Sequence, residues 1–337
     1  MSSSSSRSPA ALLEQWHEKG YFKVEAAISI DSCNEFISQI EEELRAGSVG
    51  TQDRTSKENI QLRAPETWPR GKKRRVVECA PQGVGSHWEE LRTSSRLGAA
   101  LDELLGAGKW EINLNDFGLS PVRHWYFPIT FPEHEYTVRR GPSMMTFSRQ
   151  PDRKILLRSW RDEIQADGPF TDPLIDAPWR WSPVSRRRFR GKGWHIDVGP
   201  GFPNDGIRTS EGHPFQAAIL LLLLSDCSEG EGGTAIIPGS HHWVSNKLAE
   251  CGDAGIPHSE LNQWCVEKVL EQEKSGALRL PPRSRAAAED FVHVEQVVGK
   301  RGDIVCMHPL AIHSGTTNLS ADRPRLMGNG MVRRLSK

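Results

Sequence analysis

The 337-residue chain has no net charge to offer a polyanion, since its 43 Lys and Arg are matched by 43 Asp and Glu. That balance argues against a nucleic-acid or membrane-surface partner and leaves only local patches. Long apolar runs are missing as well. The longest, "AAILLLLL" from Ala217 to Leu224, is far short of the about 20 residues needed to span a bilayer, so no membrane association is expected. It reads instead as a strand buried on both faces. None of the six cysteines (Cys33, Cys79, Cys227, Cys251, Cys265 and Cys306) belongs to a CxxC pair, so neither a zinc ribbon nor a dithiol redox motif is indicated. With no signal-peptide pattern, they are expected as reduced thiols in a cytoplasmic protein. No internal repeat is visible.

What is present falls into two textures. After a polar tail over residues 1–9, expected to be disordered, residues 10–107 alternate between helical patterns and polar connections. In "SIDSCNEFISQIEEELRAG", Ser32 and Glu35 have capping-box spacing. Phe36, Ile37, Ile40 and Leu44 share a face, and Gly47 closes the helix. "HWEELRTSSRLGAALDELLGAG" returns to helix. From residue 108 onward, short strand-like runs are separated by Pro, Gly and Asp, the pattern of a mainly β sandwich or barrel. Residues 245–290 interrupt it with a helical pattern that places Leu261, Trp264, Cys265 and Val269 on one face. Such an insertion between barrel strands is expected as a lid or rim over a site.

The chemistry concentrates in "GWHIDV". On a strand, His195 and Asp197 project from the same face, as two points of a metal grip. Two histidines and one carboxylate form the facial triad that leaves three positions open on non-haem Fe(II). A third ligand should come from a later strand, and "GDIVCMHPLAIHSGTTN" supplies both His308 and His313. Five residues apart, they face opposite ways on a strand, so only one can complete the set.

Taken together, "GWHIDV", "GGTAIIPGSHHW" and "GDIVCMHPLAIHSGTTNLSADRPR" resemble the phytanoyl-CoA dioxygenase family of Fe(II)/2-oxoglutarate oxygenases. "GYFKVEAAISIDSCNEFISQIEEEL" is also similar to that family's opening strand and helix. The resemblance implies a double-stranded β-helix (jelly roll) core over residues 108–337, carrying the 245–290 insertion, with the N-terminal helices packed on it. It implies His195, Asp197 and His313 as catalytic metal ligands, with His308 at a structural position and in reserve. It also implies Arg325 as the residue that binds the co-substrate, with Arg323 as the alternative. Arginine suits the distal carboxylate of 2-oxoglutarate because it is permanently charged and donates in bidentate fashion. The implied cofactors are Fe(II), 2-oxoglutarate and dioxygen. The implied reaction is oxidation of a small-molecule C–H bond, with release of succinate and carbon dioxide. Because Asp197 is retained where related halogenases carry a small residue, hydroxylation, or another outcome of hydrogen abstraction, is expected over halogenation.

Other candidates have blander readings. His241 and His242, in "PGSHHW", are expected to serve turn and loop hydrogen bonding. His293 and Glu295 form a rival i, i+2 pair, read as solvent-facing or as a rim contact, and Thr234 is read as a buried strand residue. The run of Arg186, Arg187, Arg188, Arg190 and Lys192 is either a solvated loop or a cationic mouth for an anionic substrate. Two rival functions remain: a catalytically silent binding or sensor member of the same fold, and a cupin-like metalloenzyme that does not use 2-oxoglutarate.

Overall fold

The computed structural model describes residues 9–46, 60–68, 74–79, 85–113, 125–132, 194–197, 217–275, 277–279, 292–316, 318, 320 and 323–335. Residues 1–8 of the N-terminal tail, the 186–192 basic run and the "SMMTFS" strand candidate lie outside them.

Two antiparallel sheets of unequal size form the core. The elements of the N-terminal part are α1 (Pro9–Lys19), β1 (Tyr21–Val24), α2 (Ile30–Ala46), β2 (Arg74–Cys79), α3 (Ser86–Thr93), α4 (Ser95–Leu105) and β3 (Trp110–Asn113). Then follow β4 (Trp125–Thr130), β5 (Ala218–Leu223), β6 (Thr234–Ile236), α5 (Ser240–Cys251) and α6 (His258–Ser275). The chain ends through β7 (Leu278–Arg279), β8 (Val292–His293), β9 (Glu295–Gln296), β10 (Ile304–Met307), β11 (His313–Gly315) and β12 (Arg325–Arg334). The large sheet runs β1-β10-β5-β12-β4-β2, with β3 also on β12, and the small one runs β11-β6-β9. Residues 194–197 extend the small sheet through an antiparallel bridge between His195 and His313. This is the mainly β architecture expected from the strand pattern, and it fits the jelly roll that the resemblance implies. The N-terminal part supplies β1, the opening strand expected at Tyr21–Val24, and also β2, where a polar connection was expected.

Alternation along the strands sorts the apolar side chains into three layers. Phe36, Ile40, Leu101, Trp125, Phe127, Leu220 and Leu222 fill the space between the helices and the large sheet. Ile219, Leu221, Leu223, Ile236, Val305, Met307 and Met327 meet between the two sheets. β5 contributes to both layers, which is why it is apolar at every position. The third layer lies behind the small sheet, where Trp194, Ile196, Ile237 and Ile312 meet Val244, Leu248, Leu261, Cys265 and Val269 of α5 and α6.

The helical reading of the insertion holds, since Leu261, Cys265 and Val269 are fully buried on one face. Its expected placement does not. The described part packs against the outside of the small sheet, because its apolar stripe needs a partner and the outward residues Ile196, Ile237 and Ile312 supply one. The described helices form a backing layer, and residues 280–290 of the insertion lie outside the described residues.

Two local expectations also change. Helix α2 begins before Ser32, whose backbone N–H donates to Ser29 Oγ at 3.1 Å, so Ser29 is the cap. Glu35 turns away from its own helix and accepts from Ser86 Oγ at 2.6 Å. "PGSHHW" is the start of α5, with Ser240 and His241 buried in its first turn.

Candidate functional site

His313 opens β11 opposite Ile236 of β6. His195 N–H donates to His313 O at 3.0 Å and His313 N–H donates to His195 O at 2.9 Å. The paired residues therefore sit side by side, their ring centroids 4.4 Å apart. Trp194 and Ile196 belong to the layer behind the small sheet, so alternation directs His195 and Asp197 to the opposite, inner side. There Asp197 bridges the two imidazoles: Oδ1 lies 3.5 Å from His195 Nε2 and Oδ2 lies 3.3 Å from His313 Nε2. One ligand-type atom from each residue lies within 4.8 Å of the others, and this is the only such group among the described residues.

The electrostatics suit a cation. Burial acts to raise the Asp197 carboxyl, but the two imidazoles outweigh it, His313 foremost, and hold it well below the usual carboxylate range. His313 is fixed from behind, with Nδ1 3.0 Å from Ala311 O. That contact places the ring proton on Nδ1 and leaves Nε2 as the ligand atom, the orientation that metal-bound imidazoles adopt. Two imidazoles and a carboxylate converging from one side are the donor set of a facial-triad non-haem iron site, so the residues present fit such an ion.

His308 stands elsewhere. Its Nδ1 accepts from Leu310 N–H at 3.0 Å, and its ring packs 5.2 Å from Trp16 and 5.0 Å from His241. This contact joins three of the sequence segments. Gly20 accepts from His308 N–H at 2.8 Å, and Lys19 accepts from Gly239 N–H at 3.0 Å. Gly20 adopts φ +80°, and a Cβ there would lie 2.5 Å from His241 Nδ1, so the junction requires glycine. His242 Nε2 contacts His17 O at 2.8 Å. His241, His242 and His308 hold α1 to the sandwich.

The two arginines separate cleanly. Arg325 is 4% exposed and begins β12 opposite Thr130. It lies in phase with Met327 of the inner layer. Its Nε donates to Gly232 O at 2.8 Å and Nη1 lies 3.4 Å from Pro128 O. Arg323 is half exposed and pairs with Glu231. Asn318, fully buried, donates to both Thr130 O and Arg323 O at 2.9 Å, fixing the loop that delivers Arg325. Its place in "TTNLS" gives no sequence signal.

Thr234 is buried on β6 in phase with inward Ile236. Glu295 does not join the metal-type group; it accepts from Lys19 Nζ at 2.9 Å and from Tyr21 Oη, closing the sandwich edge. The side chain of His293 lies outside the described residues.

A two-sheet jelly roll with a His-Asp-His group on its inner face defines the structural class. Residues 188–327 match the family model described as phytanoyl-CoA dioxygenase (PhyH). That is the family whose motifs the sequence resembles. No curated protein matches the chain. Among solved structures, it is similar to the non-haem alpha ketoglutarate dependent epimerase SnoN from nogalamycin biosynthesis, with 14% identity and a TM-score of 0.45. That match covers 96% of this chain and 82% of the other. It is also similar to the carbocyclase SnoK from the same biosynthesis, with 13% identity, a TM-score of 0.48 and coverage of 96% and 83%. Among the described residues, no helix is long and apolar enough to cross a membrane.

Proposed function

We propose that the protein is an Fe(II)- and 2-oxoglutarate-dependent dioxygenase that hydroxylates a C–H bond of a small molecule. One observation carries the reading: His195, Asp197 and His313 converge on the inner face of the small sheet, while Arg325 is buried on the inward side of the large one. The three ligands would hold the iron, and the iron, once bound, supplies dioxygen activation coupled to oxidative decarboxylation of the co-substrate. Everything else is the work of the chain. Asp197 stays ionised between the imidazoles, and the Ala311 carbonyl keeps His313 in the binding tautomer. Arg325, braced by the Gly232 and Pro128 carbonyls, offers a permanent positive charge to the distal carboxylate of 2-oxoglutarate. Leu221, Met307 and Met327 line the space between the sheets with apolar surface that excludes water.

Retention of Asp197 favours hydroxylation over halogenation, because the carboxylate fills the position a halide would take. The substrate is a small molecule, and an anionic one if residues 186–192 form a cationic mouth.

The test is an anaerobic titration of the metal-free protein with Fe(II) and then 2-oxoglutarate, watched for the visible charge-transfer band of the chelated keto acid. Its appearance, and its loss in His313→Ala, supports the reading. Iron binding without the band would point to a metallo-barrel of different chemistry. No iron binding at all would favour a silent member of the fold.

A further inference from the structure

Among the described residues, the segment that carries His195 and Asp197 is bonded to a strand on one side. His195 exchanges both backbone hydrogen bonds with His313. Ile196, between the two ligand candidates, must therefore turn its N–H and C=O to the opposite edge. Among the described residues, no strand pairs with that edge. A helix side chain takes its place: Ile196 N–H donates to Asn262 Oδ1 at 3.0 Å. Asn262 Nδ2 lies 2.9 Å from His258 Nε2, and the same ring nitrogen is 3.4 Å from Ile196 O. Asn262 and His258 thus face both backbone groups of Ile196 from the first turns of α6.

Chemistry fixes the arrangement. A backbone N–H can only donate, so the amide turns its oxygen to the strand and its NH2 to His258, whose Nε2 accepts. The helix itself is held in place, since Leu261 and Cys265, beside Asn262 in sequence or one turn on, are fully buried. They lie in the same layer as the Ile196 side chain. α6 therefore grips Ile196 by both side chain and backbone.

We propose that Asn262, oriented by His258, is a positioning residue for the metal site: it fixes the backbone of Ile196 and so the directions in which His195 and Asp197 leave the strand. This rests on the assignment of His195, Asp197 and His313 as metal ligands. It gives the 245–290 insertion a role at the site from behind the sheet. Two ligands one residue apart depend directly on the φ and ψ of the residue between them, and a single bridge leaves that residue free to twist. Partners that orient ligands typically govern about 10–100-fold in metal affinity.

The experiment pairs two readouts on metal-free protein: hydrogen exchange at the Ile196 amide, and anaerobic titration with Co(II). Asn262→Ala should speed Ile196 exchange at least about tenfold and weaken Co(II) binding by about tenfold or more. Asn262→Asp, which keeps the accepting oxygen, should restore slow exchange and bring affinity within about threefold of the parent. Gln263→Ala, next in sequence and bonded to Glu267 along its own helix, should change neither. Should Asn262→Ala fail to fold, His258→Ala removes the orienting partner alone and should weaken Co(II) several-fold. Faster Ile196 exchange with unchanged affinity would make the contact merely structural and overturn the proposal, as would no change in either. If the parent protein itself bound no Co(II), the metal-site reading would fall and take the proposal with it. Binding by the parent with an unaffected Asn262→Ala variant would remove the proposal alone.

Discussion

Acid should loosen the junction between α1 and the sandwich, and the size of the effect follows from His308. Burial lowers this imidazole from the usual 6.5 to about 3, with the neighbouring His241, His242 and His17 adding to the shift. The geometry agrees, because Nδ1 accepts from Leu310 N–H at 3.0 Å and protonation would set a donor against that donor. In the unfolded chain His308 titrates near 6.5, while the folded state refuses the proton until about 3. The unfolded state therefore binds more protons across that window, and stability falls as pH drops below 6.5. From pH 7.5 to pH 5 the loss assigned to His308 is about 2 kcal/mol, from the roughly 1.5 pH units below 6.5 at about 1.36 kcal/mol each. His308→Asn keeps an accepting atom near Leu310 and removes the titration. Urea denaturation of both proteins at pH 7.5, 6 and 5 should show the parent's advantage shrinking by about 2 kcal/mol. Parallel profiles, with a difference constant to about 0.5 kcal/mol, would refute the burial argument. Because His308 is held apart from the triad, His308→Asn should bind Fe(II) as the parent does.

Gly330 lies under Trp125, where a Cβ would come within 2.1 Å of the indole; Gly330→Ala should cost about 1–3 kcal/mol in urea unfolding, and a neutral result would mean that the ring shifts freely. Gly98 in α4 meets nothing within 4 Å, so Gly98→Ala should stabilise by about 0.5–1 kcal/mol in the same assay. Ser94 caps α4 by accepting from Leu97 N–H at 3.3 Å, and Ser94→Ala should lower stability by about 1 kcal/mol. Arg325→Ala should raise the 2-oxoglutarate needed for half-maximal turnover at least about tenfold, consistent with loss of a charge-assisted pair; Arg323→Ala should leave it near the parental value, and the reverse order would move the anchoring role to Arg323.

Patterns within single strands were legible in the sequence. Unbroken apolarity from Ala217 to Leu224 marked the strand shared by two cores, and that strand is apolar throughout because each face meets its own layer. Period-two alternation placed His195 and Asp197 on one face. Each of these rests on local covalent geometry, which composition and spacing encode directly. His308 and His313 do not share the single strand expected: β10 ends at Met307, a turn follows, and His313 opens β11. Only the folded chain decided the contacts between segments far apart in sequence. Ser29 and not Ser32 caps α2, since Ser32 and Glu35 find partners on α3. The insertion backs the small sheet because Ile196, Ile237 and Ile312 leave an apolar face for its helix to cover. Asn262 reaches Ile196 across 66 positions, a pairing that no periodicity foretells, since it depends on where two packed layers bring a helix and a strand edge together.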